Sequence, residues 1–197
     1  MPKYRGAGPI QWTLMNGDKN TGVTIFQIQS KVDTGDILCQ KSIKIHKDDN
    51  MHTLGMRLCT IGAKLMLVVL NNFENGKIKR KCQSINNISF APKITKEMLI
   101  INWSWAAEKI HNWIRALSPK PGMYTFFKGK KLRIFKTKIK KGMGKPGEIF
   151  ILNKNSCIIN TGKESLSILE VQLEGRKKMV ISDFLSGVLF KKGEILG

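Results

Sequence analysis

Cysteine is scarce in this sequence, and no C-x-x-C pair occurs. The four cysteines, Cys39, Cys59, Cys82 and Cys157, stand far apart, which is not the pattern of a disulfide framework or of a zinc site. The three histidines have no cysteine or histidine at ligand spacing. We therefore expect reduced thiols, a cytosolic protein and no metal site.

Long apolar runs are also absent. The longest run, Leu65–Leu70, has six residues, whereas a membrane-spanning helix needs roughly 18 or more. The first residues do not resemble a signal or transit peptide. These absences predict a protein with no membrane partner.

Acidic residues are few: 14 Asp and Glu oppose 34 Lys and Arg, for a net charge of +20. The excess of lysine over arginine fits the composition of an A/T-rich genome, which would explain the charge without a function. The distribution argues for a further cause, because the stretch from Lys120 to Gly147 holds ten basic residues and no acidic one. A field of one sign over that length favours contact with a nucleic-acid backbone over a merely solvated face.

The most informative stretch is Gly22–Leu38. It begins as a strand rich in β-branched residues, turns through a polar loop and leaves as a second strand. The loop carries two carboxylates, Asp33 and Asp36, separated by Thr34-Gly35. Taken alone, these four residues are most simply a turn whose aspartates bond to their own backbone. A carboxylate on a glycine-containing loop at a strand end is also a common place for chemistry.

Local patterns predict the remaining elements. Apolar residues at steps of three and four predict a helix over 51–73, and the irregular basic segment that follows is typical of a linker. Ser104 is expected to cap a helix that runs to Leu117 and is stopped by Pro119 and Pro121. The other expected elements are a short helix near 11–15, strands at 22–29 and 37–45, and five strands at 124–127, 132–138, 148–152, 157–159 and 166–172. Five short strands at this spacing suit a small Greek-key barrel of the oligonucleotide-binding (OB) kind.

Several blocks of the sequence closely resemble the methionyl-tRNA formyltransferases. Residues 2–11 match the family's P-K-Y-R-G-A-A-P-I-Q except at Gly8, where the family usually has Ala. Residues 21–25 match T-G-V-T-I, and residues 33–38 match D-T-G-D-I-L. Later blocks match in the same order: 90–97 resembles Y-A-P-K-L-T-K-E, 112–122 resembles N-x-I-R-A-L-x-P-x-P-G, and 175–179 resembles G-K-K/R-x-M. The resemblance therefore covers nearly the whole chain.

The resemblance implies an α/β plus β fold. Residues 1–75 would form the second half of a doubly wound, Rossmann-like formyltransferase domain, and residues 76–100 an interdomain linker. Residues 101–197 would form an OB-like, tRNA-binding β-barrel with a leading helix. Half of a parallel sheet would leave apolar surface uncovered, so we expect residues 1–75 to be poorly stable.

The resemblance also implies the activity, which is transfer of a formyl group from 10-formyltetrahydrofolate to the amine of methionyl-initiator tRNA. A monomeric enzyme of the bacterial cytoplasm that needs no metal is expected. The family's catalytic Asn and His lie in a loop that precedes the P-K-Y-R-G block, and neither has a counterpart in this sequence. Only the catalytic aspartate maps here, onto Asp33, and Asp36 would support the turn. We therefore expect the 197-residue chain by itself to be inactive, since catalytic residues of one site act as a unit.

Two groups of binding residues follow from the resemblance. The loop that borders the folate would be formed by Ile28, Gln29, Ser30, Lys31 and Val32. Residues that would contact tRNA phosphates are basic: Arg115, Lys120, Lys128, Lys130, Lys131, Arg133, Lys136, Lys138, Lys140, Lys141, Arg176, Lys177 and Lys178.

Two other readings stay open. One is a sister formyltransferase acting on a nucleotide-linked amino sugar, or a formyltetrahydrofolate hydrolase-type domain, although a small sugar nucleotide does not need ten positive charges. The other is a non-catalytic remnant that binds RNA without preference for initiator tRNA. A steep salt dependence with no such preference would distinguish it.

Overall fold

The computed structural model describes residues 3–30, 33–84, 86, 88–187 and 190–197. The chain divides into two compact units, Met1–Ile94 and Thr95–Gly197. Most of the segment expected to be a linker lies in the first unit: Lys81 pairs with Ile37, and Phe90 pairs with Arg5 in single bridges. The boundary between the units therefore falls near the end of that segment.

The first unit contains two helices and a two-stranded ribbon. Its elements are α1 (Pro9–Met15), β1 (Asn20–Phe26), β2 (Ile37–Lys44) and α2 (Met51–Glu74). All four expected elements are confirmed, with β1 beginning and ending earlier than the sequence indicates. Strands β1 and β2 pair antiparallel, and the described residues of this unit form no parallel ladder. The expected half of a parallel sheet is thus not found, because ten residues between the strands suffice for a reversal but not for a parallel crossover.

Helix α2 begins at a well-formed cap. The Asn50 side chain accepts hydrogen bonds from the backbone N–H groups of His52 and Thr53. In return, the Thr53 hydroxyl oxygen accepts from the Asn50 N–H at 3.0 Å. Leu54, Leu58 and Val69 are buried, and the helix packs on α1, β1 and β2. The predicted apolar stripe is therefore a packing stripe.

The outer side of α2 is apolar too. Its exposed large side chains include Met66, Leu67, Leu70 and Phe73. Among the described residues, α2 is the one helix that by length and composition alone passes as a membrane span, with a mean hydropathy of 1.6 and 11% of its most apolar window buried. The sequence-based expectation that no segment is apolar enough to span a membrane is therefore not confirmed.

The second unit is a sheet with flanking helices. Its elements are α3 (Ala107–Ala116), β3 (Met123–Phe127), β4 (Lys130–Lys140), β5 (Ile149–Asn153), β6 (Ser156–Asn160), β7 (Ser165–Leu173), β8 (Met179–Val180) and α4 (Ile181–Gly187). The five expected strands are confirmed, and β8 is an additional short one. The sheet order is β3-β4-β7-β6-β5, with β8 paired to β7. The turn between β3 and β4 has positive φ at Lys128 (49°) and Gly129 (74°), as a tight hairpin requires.

The sheet of this unit is not a closed barrel. Its outer strands β3 and β5 are not paired with each other in the described part of the chain. The C-terminal residues lie near both edges instead: the Ile149 N–H donates to the Glu194 carbonyl at 2.9 Å, and the Gly197 N–H donates to the Phe126 carbonyl at 3.4 Å. The OB-like barrel is thus not confirmed.

The start of α3 differs from the expectation. Ala106, not Ser104, is the N-cap residue, and no side chain caps the helix. Ser104 lies in a turn in which its own N–H donates to Oδ1 of Asn102 at 3.0 Å. The predicted cap was wrong because Asn102 forms an Asx turn first. The helix ends at Ala116 before the two prolines, as expected.

Candidate active-site loop and candidate nucleic-acid interface

The loop that carries Asp33 connects β1 to β2. The Gln27 N–H donates to the Asp36 carbonyl at 2.9 Å, which ties the two ends of the loop together beyond the last strand pair. Gly35 packs against the same place: a Cβ on Gly35 would lie 1.6 Å from the Gln27 carbonyl oxygen. No other residue fits there without moving the backbone, so the glycine of the D-T-G-D motif has a steric role.

Asp33 itself is half-buried and has a left-handed backbone. Its φ is 54°, an uncommon value for a residue other than glycine. Its carboxylate Oδ2 accepts a hydrogen bond from the backbone N–H of Gly6 at 3.3 Å. The structure therefore brings two of the blocks that carry the resemblance, 2–11 and 33–38, into contact at this carboxylate.

The loop is held from a third side by Gln83. Its Nε2 donates to the carbonyl oxygens of Asp33 at 3.0 Å and of Gly35 at 2.7 Å. Its Oε1 accepts from Nη2 of Arg5 at 3.0 Å. Sequence reasoning missed Gln83, since one glutamine in an irregular basic segment has no periodicity that would single it out.

The expected folate-bordering residues are only partly described. Ile28, Gln29 and Ser30 are exposed, and the Ile28 side chain is 89% exposed. Lys31 and Val32 lie outside the described residues. Ile28 thus holds an apolar side chain out in solvent, and the role of this segment in binding folate stays a prediction.

Asp36 interacts with a cysteine. The hydrogen bond between the Cys82 thiol and the Asp36 carboxylate raises the pKa of that thiol, and the negative charge of Asp36 adds to the effect. Since burial contributes little, the shift comes from this one neighbour. Asp36 thus has a local partner in Cys82, and its expected role in supporting the turn stays a prediction.

Neither a metal cluster nor a cavity belongs to this loop in the part of the chain that the structure describes. Among the described residues, no group of three or more His, Cys, Asp or Glu side chains could hold a metal ion. A cavity of about 530 Å³ lies in the first unit and is lined by Tyr4, Thr13 and Asp18 among others. Asp33 and its hydrogen-bond partner Gln83 are not among the lining residues, so the cavity and the Asp33 loop are distinct features.

The second unit presents a basic sheet face centred on β4. Lys136, Lys138 and Lys140 are exposed, whereas Ile134 and Thr137 are buried. The pairing of β4 with β7 shifts register between Ile134 and Thr137. Because this bulge resets the alternation, Lys131 and Arg133 before it and the three lysines after it all lie away from the core.

An aromatic side chain lies beside these cations. Tyr124 of β3 is paired with Arg133 of β4, and the Lys131 Nζ lies 5.2 Å from the centroid of the Tyr124 ring. Tyr124 and Phe126 are half-buried and in edge contact, with ring centroids 5.6 Å apart. Cations interleaved with aromatic rings are typical of surfaces that bind nucleic acids.

The other basic residues predicted to contact tRNA differ in their exposure and in their side-chain partners. Lys120, Lys128, Lys130, Lys141, Arg176 and Lys177 are exposed. Lys178 forms a salt bridge with Glu170 at 2.7 Å, and Nε of Arg115 donates to Asn112 at 2.9 Å. The structure therefore brings six of the predicted basic residues together on β4, Lys130 among them, and commits Lys178 and Arg115 to other partners.

Two family models match the sequence. The model described as "Formyl transferase" matches residues 1–70, and the model described as "Formyl transferase, C-terminal domain" matches residues 93–189.

Curated relatives give the same result. A methionyl-tRNA formyltransferase from Caldanaerobacter subterraneus is 41% identical over all of this chain and 64% of its own length. One from Thermodesulfovibrio yellowstonii is 42% identical over 98% of this chain and 62% of its own length. The chain thus spans less than two thirds of the length of these relatives.

Solved structures share the fold at low identity. HypX from Aquifex aeolicus, in complex with tetrahydrofolic acid, covers 100% of this chain and 37% of its own with a TM-score of 0.71 and 21% identity. The N-formyltransferase from Helicobacter canadensis, with folinic acid and dTDP-3-aminofucose, covers 91% and 63% with a TM-score of 0.70 and 20% identity. A methionyl-tRNA formyltransferase from Clostridium thermocellum covers 73% and 61% with a TM-score of 0.60 and 21% identity. These likenesses concern the fold alone.

Proposed function

Because this chain belongs to the formyl transferase family, we propose that its protein transfers a formyl group from 10-formyltetrahydrofolate to the amino group of methionyl-initiator tRNA. Two features support the proposal: the fixed Asp33 loop and the basic face of β4. We propose that residues 1–75 belong to the catalytic domain, that 76–100 link it to the rest, and that 101–197 bind tRNA.

We assign the catalytic role to Asp33. Formyl transfer to an amine requires that a proton leave the amine, so a carboxylate at the reacting centre can orient a base or take part in moving the proton. The Gly6 N–H bond to Oδ2 fixes one oxygen of the carboxylate and leaves the other for such a partner. Asp36 has no part in the transfer, and its role is to hold the turn and Cys82.

The folate would lie against the segment from Ile28 to Val32. When bound, the folate supplies the activated formyl group. The chain contributes an exposed apolar residue, Ile28, which can cover one side of a flat ring system, and polar neighbours at Gln29 and Ser30. No metal is needed for this chemistry.

The basic face of β4 supports tRNA as the acceptor. Lys131, Arg133, Lys136, Lys138 and Lys140 line a sheet, in the manner that OB-like modules present a strand face to nucleic acids. Phosphates of a tRNA backbone match such a row, because each neutralised phosphate releases counterions. A sugar nucleotide carries too few phosphates to use it. We therefore propose tRNA as the acceptor. From the family resemblance, we further propose a monomeric enzyme of the bacterial cytoplasm.

A hybrid enzyme tests the proposal. This chain would replace the matching part of the Caldanaerobacter subterraneus relative, and the hybrid would be assayed with 10-formyltetrahydrofolate and either methionyl-initiator tRNA or dTDP-3-aminofucose. We expect formyl-methionyl-tRNA as product, and a loss of at least about 100-fold in kcat for Asp33→Asn. Asp48→Asn, an exposed aspartate of the same unit, serves as the control with unchanged kcat.

Two outcomes would contradict the proposal. Formylation of the amino sugar in place of tRNA would assign the chain to the sister enzymes. A hybrid that binds tRNA but forms no product, both with Asp33 and as the Asp33→Asn variant, would favour a non-catalytic, RNA-binding protein.

A further inference from the structure

We propose that Gln83 is a positioning residue for Asp33 and that Arg5 sets its orientation. The inference rests on the proposed catalytic role of Asp33. Gln83 stands 50 residues after Asp33 in the sequence, and its Nε2 reaches two backbone carbonyls of the Asp33 loop.

The chemistry of a primary carboxamide suits this position. One nitrogen carries two N–H donors, and the two acceptors are the carbonyls of Asp33, at 3.0 Å, and of Gly35, at 2.7 Å. The two carbonyls belong to the peptide units Asp33–Thr34 and Gly35–Asp36, so a single side chain holds the loop at two points. A hydroxyl has one donor and could hold only one of them, and a carboxylate has none.

Arg5 determines which way the amide faces. The guanidinium of Arg5 is only a donor, so the atom that faces its Nη2 at 3.0 Å must be the oxygen of Gln83. The amide nitrogen of Gln83 therefore faces the Asp33 loop, where it donates to the two carbonyls. Arg5 is itself held through its backbone, which donates to Ser89 at 2.9 Å and accepts from Ala91 at 2.8 Å.

Two consecutive residues of the opening loop, Arg5 and Gly6, both support Asp33. Arg5 bonds to Gln83, which in turn bonds to the backbone carbonyl of Asp33. The Gly6 N–H donates to the Asp33 carboxylate at 3.3 Å. The loop needs such support, because Asp33 has a φ of 54°, a conformation that costs free energy for a residue with a side chain. Without Gln83, the loop would lose two of the hydrogen bonds that hold this conformation.

Kinetics of the hybrid enzyme test the inference. Gln83→Leu removes the donors at similar size, and Gln83→Glu places a carboxylate against two carbonyl oxygens. We expect kcat to fall about 10- to 100-fold in both, and further in Gln83→Glu, because a displaced catalytic group loses that much. KM for tRNA should stay within about twofold, since the β4 face is untouched. Gln83→Asn keeps the amide on a shorter stem and should lose less.

A matched control is available in the same unit. Gln40 is an exposed glutamine whose Nε2 donates to Oγ1 of Thr24 at 2.9 Å, so Gln40→Leu also removes an amide bond but leaves the Asp33 loop alone. We expect its kcat to be unchanged. If Arg5 acts through Gln83, then Arg5→Met combined with Gln83→Leu should lose no more activity than Gln83→Leu alone.

The 197-residue chain supplies a readout independent of activity. Loss of Gln83 should speed hydrogen exchange of the Gln27 N–H, which bonds to the Asp36 carbonyl across the loop, while the thermal midpoint of the chain changes little. Wild-type kcat in Gln83→Leu and Gln83→Glu, with Asp33→Asn inactive, would overturn the inference and leave the proposed function standing. Wild-type kcat in Asp33→Asn would contradict both the inference about Gln83 and the proposed catalytic role of Asp33.

Discussion

The backbone N–H of Gly6 lies 3.3 Å from Oδ2 of Asp33 and donates a hydrogen bond to it. The two residues are 27 positions apart in the sequence. Gly6 has a φ of 126°, which is open to glycine but strained for other residues. A glycine in the opening loop therefore helps to place the carboxylate on which the proposed chemistry depends.

Gly6→Ala should destabilise the first unit. A Cβ there would lie 2.8 Å from the Ala91 carbonyl oxygen, and the backbone strain adds to this clash, so we expect a loss of about 1–3 kcal/mol in the free energy of unfolding. Urea denaturation measures the loss. Gly76→Ala is the control, since Gly76 has a φ of 64° with nothing within 4 Å. An equal loss in both variants would show that the contact with Ala91 has no effect.

Asp49→Ala should destabilise the start of α2. The Asp49 carboxylate is buried and accepts from the His46 N–H at 2.7 Å, from the Thr53 hydroxyl at 3.2 Å and from Arg57. Its removal leaves these donors without that partner, so we expect a loss of about 1–3 kcal/mol in the free energy of unfolding. Its neighbour Asp48 is exposed, and Asp48→Ala should change stability by less than about 0.5 kcal/mol. Thermal melts of the two variants would give the comparison, and similar midpoints would argue against the network.

Three lysines of β4 should account for part of the salt dependence of RNA binding. Replacing Lys136, Lys138 and Lys140 together by alanine should weaken binding and reduce the slope of log K against log salt by about 2 to 3, at 0.7 to 0.9 for each phosphate contact. Filter binding over a range of salt concentrations measures the slope.

The control for this prediction replaces three exposed lysines of the first unit, Lys47, Lys64 and Lys79. It has the same change in net charge. If both triple variants lower the slope equally, the effect comes from net charge and not from the β4 face.

The cysteines should differ in reactivity. Burial raises the pKa of the Cys157 thiol to about 12, and the Asp36 carboxylate raises the pKa of Cys82. Because the thiolate is the nucleophile, alkylation by iodoacetamide at pH 8 should be slowest at Cys157 and slower at Cys82 than at the exposed Cys59. Asp36→Asn should speed the reaction of Cys82 several-fold and leave Cys59 unchanged, which mass spectrometry can follow. No change at Cys82 would mean that Asp36 does not control it.

The sequence by itself determined the elements and their family. The helix over 51–73, the strand and hairpin pattern after Gly122, and the polar loop with Asp33 all follow from local periodicity and turn residues. Such signals act within a few residues, because side-chain periodicity and backbone preference are local properties. The motif blocks indicated the formyltransferase family for the same reason, since each block is a short continuous stretch.

Only the tertiary structure decided how these elements combine. Three features were not predicted from the sequence. Strands β1 and β2 pair antiparallel, β3 and β5 are not paired with each other in the described part of the chain, and Ser104 lies in a turn before the helix cap. Gln83 is the clearest case: its bonds to Asp33 and Gly35 span 50 and 48 residues, and no local pattern encodes a partner at that distance. Hydrogen bonds between distant segments depend on where the folded chain brings them together, so the support of Asp33 became visible only in the fold.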